Sequence, residues 1–142
     1  MIRALVPKCI LIVDNNECIR KRIRAFLEDE TGLKVCGEAV DGYDAIEKAE
    51  RLKPDLIIID LSMPRMGGLS AASILKKMLP RTPIILFTLY HDAFQNLATP
   101  AGFDAVVPKC GDISLLMNSI QGLLRAAASL PRPVNKSIGP VH

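Results

Sequence analysis

The 142-residue chain lacks the features of several large protein classes. It has no apolar stretch close to the ~18 residues of a membrane span, and we find no signal peptide before the first predicted strand. It also has no run of basic residues, and its net charge is only +3. Lys21, Arg22 and Arg24 alternate with apolar residues, which is typical of a solvated helix face. We therefore expect no membrane, no nucleic acid bound by this domain, and a cytoplasmic location.

The cysteines are too scattered for a metal site or a redox motif. Cys9, Cys18, Cys36 and Cys110 form no CxxC pair and no zinc spacing. Cys9 and Cys36 lie in apolar runs, so we expect them to be buried thiols in a reducing compartment.

What the chain does contain is a regular alternation of apolar runs and amphipathic helical stripes. Hydrophobic residues make up 49% of the chain and charged residues 23%, so one core can form without a metal or a disulfide. Strand and helix patterns alternate five times, which predicts a parallel sheet with helices on both faces. The length favours a flavodoxin-like α/β fold, a (βα)5 doubly wound sheet of five strands in the order 2-1-3-4-5. The predicted strands are residues 9–13, 33–39, 56–59, 83–89 and 104–107.

The end of the chain has a different composition. The last helical stripe is predicted to begin after Asp112 and to finish near Leu124, so we expect the folded domain to span residues 1–125. Residues 126–142 are rich in proline, and we expect them to be a disordered tail or the remnant of a linker. A shorter fourth helix, about residues 92–99, is expected to stop before Pro100.

Polar side chains follow four of the apolar runs, where the carboxyl ends of parallel strands meet. The first run leads to Asp14 and Asn15, the third to Asp60, the fourth to Thr88 and the fifth to Lys109. Two carboxylates, an amide, a hydroxyl and an ammonium suit a divalent cation and a phosphoryl group. Oxygen ligands favour Mg²⁺, and the metal and the lysine would neutralise the acids. Alone, each residue could be a cap, a strand residue or a solvated side chain; their joint placement favours a site.

Four motifs carry these residues, at positions 10–17, 55–68, 83–88 and 106–109. Their order and spacing over about residues 8–125 resemble the receiver domain of two-component response regulators, the CheY-like family. The resemblance implies that Asp60 accepts a phosphoryl group from a sensor histidine kinase or a phosphotransfer protein. Thr88 and Lys109 would bind the phosphoryl oxygens. The implied Mg²⁺ ligands are Asp14, Asn15, Asp60 and the backbone carbonyl of Ser62. The domain would be a switch and not an enzyme, beyond its own phosphorylation and dephosphorylation.

Three positions depart from the family pattern. Asn15 stands where the family usually has a second acid, so the pocket loses one negative charge and Mg²⁺ binding should weaken. Val106 stands where an aromatic switch residue is usual. Lys109 is followed by Cys110 instead of proline, which comes before it as Pro108. A cis bond after the lysine would cost about 2.5–4 kcal/mol and is not expected.

These departures leave a second interpretation open, a pseudo-receiver that binds proteins without phosphorylation. A hydrolase with an aspartyl-phosphate intermediate is disfavoured, because Ser62 stands where haloacid-dehalogenase-like phosphatases have an acid. A flavin or nucleotide binder is disfavoured because no glycine-rich loop follows the first strand. After Leu124 no output domain is visible, so a single-domain receiver and a piece of a longer protein both stay possible.

The expected partner surface is the fourth helix, fifth strand and fifth helix, through which a homodimer could also form. A new phosphoryl group would attract the Thr88 hydroxyl and bias this face. Because Val106 has no ring to swing, we expect a smaller change than in receivers with the aromatic. Leu115 should face solvent if the last helix buries Ile113, Leu116, Met117, Ile120 and Leu124.

Overall fold

The computed structural model describes residues 6–30, 32–94 and 102–129. Within these ranges five parallel strands form one sheet in the order β2-β1-β3-β4-β5, which confirms the predicted fold. The strands are β1 (Lys8–Val13), β2 (Leu33–Ala39), β3 (Leu56–Ile59), β4 (Ile84–Thr88) and β5 (Ala105–Pro108). The helices are α1 (Glu17–Glu28), α2 (Gly42–Leu52), α3 (Gly68–Met78), α4 (His91–Phe94) and α5 (Ser114–Ala128). The rest of the predicted fourth helix lies outside the described residues.

The central strands feed two separate cores, because successive side chains of a strand point to opposite faces of the sheet. On one face Leu11 and Ile57 pack with α2 and α3, and on the other Ile12 and Ile58 pack with α1 and α5. Burial on both faces explains why these strands are runs of aliphatic residues. A slip of one residue would exchange the two cores, so the register is strongly fixed.

That register places two acids side by side. Val13, the last residue of β1, pairs with Ile59, the last residue of β3. Asp14 and Asp60 therefore leave neighbouring strands at the same level. The amide of Asp60 continues the ladder by donating to the carbonyl of Val13 at 2.9 Å.

Cys9 and Cys36 are joined by a disulfide between β1 and β2, so the prediction that both are buried thiols is wrong. Their Cα atoms lie 5.4 Å apart although the residues are 27 positions apart in sequence. The register shifts between Ile10 and Leu11, which leaves Cys36 as an extra, bulged residue of β2. The pairing depends on this bulge, and no spacing in the sequence reveals it.

The last helix is longer than predicted, since α5 continues to Ala128. The first residues of the predicted tail are thus helical, and residues 130–142 lie outside the described ranges. Leu115 is exposed, as predicted. The inward residues that the structure confirms are Leu116, Met117 and Ile120, which are buried, and Leu124, which is half-buried and packs against the same core. Ile113 precedes the helix, which corrects the predicted inward set at that one position.

Two further expectations concern the backbone and membranes. The described peptide bonds are all trans, and these include the bond from Lys109 to Cys110. Among the described helices we find none with the length and apolar character needed to span a membrane.

Candidate functional site

Two buried carboxylates and one ammonium meet at the carboxyl edge of the sheet. Nζ of Lys109 lies 2.8 Å from Oδ2 of Asp14 and 2.9 Å from Oδ1 of Asp60. All three side chains are at most 12% exposed. Because one ammonium contacts both acids, oxygens of the two carboxylates converge on a single point.

Burial sets the electrostatics of this cluster. The pKa of Asp60 is raised, because burial disfavours its charged form and the charge of Asp14 adds to this, while the hydrogen bond from Lys109 opposes it. Burial alone would lower the pKa of Lys109, but its bonds to Asp14 and Asp60 outweigh burial and raise it. The lysine therefore stays charged. A further cation at this point would also offset the unfavourable free energy of burying the two carboxylate charges.

The loop that carries Asp14 is held by α1. The backbone amide of Asn16 donates to Oδ1 of Asp14 at 2.8 Å, and Oδ1 of Asn16 caps the helix by accepting from the amide of Ile19 at 3.2 Å. A guanidinium nitrogen of Arg20 donates to the carbonyl of Asp14 at 2.6 Å. Asn15 lies between these anchors and is exposed. The buried acid is thus fixed through both its carboxylate and its backbone.

Glu38 of β2 supports this arrangement, and the sequence analysis missed it. Its two carboxylate oxygens accept from Nε of Arg20 at 2.8 Å and Nε of Arg24 at 2.7 Å. Burial would raise the pKa of Glu38, but the bonds from Arg24 and Arg20 outweigh it and lower the pKa. Arg24 was predicted on a solvated helix face; its side chain is 35% exposed, and its ion pair with Glu38 was not predicted. The available signal was the pair of arginines four residues apart, which share one face of α1.

The turn after β3 is built on glycine. The amide of Gly68 donates to the carbonyl of Leu61 at 2.8 Å, and a Cβ at position 68 would lie 2.2 Å from the carbonyl oxygen of Asp60. Only glycine therefore lets α3 begin against the backbone of Asp60. Ser62 lies in this turn and is exposed, and the role of its carbonyl as a metal ligand stays a prediction.

The same turn is tied to α2 by contacts that the sequence analysis missed. Asp41 caps α2 by accepting from the amide of Asp44 at 2.9 Å and also accepts from Nε of Arg65 at 2.7 Å. The amide of Asp44 and then Arg65 hold the pKa of Asp41 below its usual range. The amide of Gly42 donates to the carbonyl of Met66 at 2.8 Å. An acid before a helical stripe was the available signal for the cap.

Thr88 and Lys109 lie at adjoining strand ends, as predicted. Thr88 is fully buried and pairs with Pro108, and its carbonyl accepts from the amide of Lys109 at 2.9 Å. Oγ1 of Thr88 accepts from the amide of Tyr90 at 3.0 Å. A hydroxyl also has one hydrogen to donate, so Thr88 can still serve an anion at this edge. Val106 is half-buried against the core of α2 and α3.

The donors present fit a hard divalent cation. The described residues contain no group of three or more His, Cys, Asp and Glu side chains that could hold a metal. The convergent carboxylates are the pair Asp14 and Asp60, and the neighbouring position 15 supplies an amide. Mg²⁺ commonly binds through one or two carboxylates and keeps several waters. These residues therefore suit Mg²⁺. Their total negative charge is smaller by one than it would be with an acid at position 15.

Similarity to known proteins covers most of this chain. The family model for the response regulator receiver domain matches residues 10–121. The response regulator protein VraR of Staphylococcus saprophyticus is 37% identical over 117 residues, which are 82% of this chain and 56% of that protein. A protein-glutamate methylesterase/protein-glutamine glutaminase of Alkalilimnicola ehrlichii is 37% identical over 119 residues, 81% of this chain and 30% of that protein. This chain thus spans about a third to a half of these relatives.

A solved structure shows the same likeness. The response regulator TrrA from Thermotoga maritima, crystallised in complex with Mg²⁺ and a beryllium fluoride, is 29% identical. The similarity covers 82% of this chain and 98% of that chain, with a TM-score of 0.74.

Proposed function

Because this chain belongs to the family of response regulator receiver domains, we propose that it accepts a phosphoryl group on Asp60. The observation that carries the proposal is the Lys109 ammonium, which bridges Asp60 and Asp14 at the carboxyl edge of the sheet. Phosphoryl transfer requires a positioned nucleophile and neutralised charge more than it requires covalent help from the protein. Asp60 supplies the nucleophile, and Lys109 supplies part of the neutralising charge.

In the proposed reaction Asp60 is the nucleophile, and Lys109 and Thr88 bind the phosphoryl group. A carboxylate oxygen of Asp60 attacks phosphorus, a new O–P bond forms, and the bond from phosphorus to the donor breaks. The donor leaves as acetate from acetyl phosphate, or as the imidazole of a phosphohistidine. Lys109 then holds a phosphoryl oxygen, and the hydroxyl of Thr88 donates to another. Asp14, Asn15, Asp60 and the backbone carbonyl of Ser62 would hold a Mg²⁺ ion, which would supply further charge neutralisation.

The relatives support the choice of partners. TrrA was crystallised with Mg²⁺ and a beryllium fluoride, and VraR is a response regulator. We infer that a sensor histidine kinase or a phosphotransfer protein is the donor and that the domain acts in the cytoplasm. The output surface comprises α4, β5 and α5, through which a homodimer can also form, and we assign neither nucleic acid nor membrane to this domain. The methylesterase relative extends well beyond the part matched here, and we propose no enzymatic output for this domain.

The test is incubation with acetyl phosphate and Mg²⁺ followed by intact mass measurement. We expect the unmodified protein to gain an adduct of ~80 Da, the mass of one PO₃H unit. The Asp60→Asn protein should gain none, because it lacks the nucleophile. Asp112→Asn is the matched control: Asp112 is exposed and its carboxylate accepts from the amide of Ser114, a hydrogen bond that the amide oxygen of asparagine can also accept. The control should be labelled normally, and equal labelling of Asp60→Asn would reject Asp60 as the acceptor.

Asn15 and Val106 are the observations that favour the alternative, a pseudo-receiver acting without phosphorylation. The bridged acid pair and the family membership weigh against it. The same mass measurement distinguishes the two proposals. A pseudo-receiver would gain no adduct from acetyl phosphate, whether the protein is unmodified or carries one of the two substitutions.

A further inference from the structure

The disulfide between Cys9 and Cys36 has no role in the chemistry proposed for Asp60. It joins the edge strand β2 to its only neighbour in the described sheet, β1. Cys36 is the bulged residue of β2, so it has no partner in the ladder of β1. Both cysteines are half-buried, so each residue keeps part of its surface exposed to solvent.

We propose that Cys9 and Cys36 are a reversible redox site, oxidised to a disulfide in the folded domain by a low-molecular-weight disulfide such as oxidised glutathione. The sheet supports both states of the pair, because the ladder between β1 and β2 holds the strands beside each other and the two Cα atoms lie 5.4 Å apart, within the usual range for a disulfide. This inference does not depend on phosphorylation of Asp60.

The exchange takes place in two steps. One thiol loses its proton to solvent, and its thiolate attacks the small disulfide, forming a mixed disulfide and releasing one small thiolate. The second cysteine, also deprotonated, attacks the protein sulfur of the mixed disulfide and releases the other small thiolate. The two protein thiols are oxidised by two electrons, and one small disulfide is reduced to two thiols. Reduced glutathione reverses both steps.

Oxidation of the two cysteines restrains the edge strand β2 of the sheet. The cross-link holds β2 against β1 at the bulge and closes a loop that contains all of α1. The ladder of these strands ends where the amide of Asp14 donates to the carbonyl of Ala39 at 3.0 Å. Glu38, the neighbour of Ala39, holds the arginine that contacts the carbonyl of Asp14. Oxidation therefore restrains the strand against which the acidic loop is anchored.

The first measurement counts thiols. The full chain is equilibrated in glutathione buffers of graded ratio, alkylated with iodoacetamide and weighed. In the reduced form we expect four alkylated cysteines. In the oxidised form Cys9 and Cys36 should carry neither an alkyl group nor glutathione, whereas Cys18 and Cys110, which are exposed and free, are each alkylated or joined to glutathione. Peptide mapping should place the cross-link between Cys9 and Cys36. Four alkylated cysteines in the most oxidising buffer, or a cross-link that includes Cys18 or Cys110, would overturn the proposal.

The second measurement follows stability and hydrogen exchange. Oxidation should raise the thermal midpoint by roughly 10 °C, as expected for closing a loop of this length. Cys9→Ser and Cys36→Ser should show no rise, because neither can form the cross-link. The Cys18→Ser/Cys110→Ser double variant should show the same rise as the unmodified protein, and it keeps the test valid if either single variant fails to fold. Exchange at the amides of β2 and of Asp14 should slow in the oxidised form. Equal midpoints and equal exchange in both redox states would show that the strands are not locked.

Discussion

At the scale of single residues, Asn15 is the proposed Mg²⁺ ligand whose side chain is a neutral amide and not a carboxylate. Its neighbour Asp14 is buried and charged, whereas Asn15 is exposed and neutral. We expect Asn15→Asp to tighten Mg²⁺ binding by about 1–2 kcal/mol, roughly 5- to 30-fold, because one more negative charge would lie within several ångströms of the metal in a solvated setting. A titration at constant ionic strength measures this.

The control for this charge is Asn118→Asp, which adds the same charge on an exposed position of α5. It should leave Mg²⁺ affinity unchanged. If the unmodified protein binds Mg²⁺ as tightly as Asn15→Asp, or more tightly, then Asn15 does not limit the affinity.

At the scale of elements, the site depends on how closely α3 approaches β3. Gly68→Ala places a methyl group 2.2 Å from the carbonyl oxygen of Asp60, so either the helix or the strand end has to move. We expect a loss of roughly 1–3 kcal/mol of unfolding free energy and slower labelling by acetyl phosphate. Urea unfolding and the mass assay measure the two effects.

Gly122→Ala provides the matched control within another helix. A Cβ at position 122 meets nothing within 4 Å, and alanine favours a helix interior over glycine by about 0.5–1 kcal/mol. This variant should be at least as stable as the unmodified protein. A Gly68→Ala protein with unchanged stability and unchanged labelling would show that the close approach of α3 is not needed.

At the scale of the whole molecule, the proposed phosphorylation has to change the structure of a surface that binds a partner. Leu89, Tyr90 and Leu115 are exposed apolar residues near or on α4 and α5. With Mg²⁺ and beryllofluoride as the phosphoryl mimic, we expect backbone amide shifts within residues 88–94 and 102–120. The shifts should be smaller than in receivers with an aromatic at position 106, because Val106 cannot rotate a ring between two sites.

The pattern of shifts distinguishes the alternatives. Large shifts confined to α1 and α2 would refute the assignment of the output face. A protein that binds the mimic and shows no shift anywhere would favour the pseudo-receiver.

The sheet and the acid pair were predictable because each follows from a local pattern. Unbroken aliphatic runs require burial on both faces, and a polar residue after such a run has to emerge at one edge. The prolines after residue 130 predict too early an end for α5, because residues 126–128 are alanines that continue a helix readily. The Cys9–Cys36 disulfide and the ion pairs of Glu38 with Arg20 and Arg24 could not be predicted from the sequence. Both depend on how distant segments are aligned in the fold, and the disulfide also depends on the bulge at Cys36.

The lysine that bridges the acid pair also determines the formal charge of the cluster in each state. Asp14 and Asp60 contribute two negative charges and Lys109 one positive, which leaves one net negative charge. A bound divalent cation would reverse the sign to one positive charge, and a phosphoryl dianion on Asp60, whose own charge is then lost, would bring the total to zero. An acid at position 15 would leave that phosphorylated state with an uncompensated negative charge. The amide that we expect to weaken Mg²⁺ binding would thus also make the phosphorylated cluster electrically neutral.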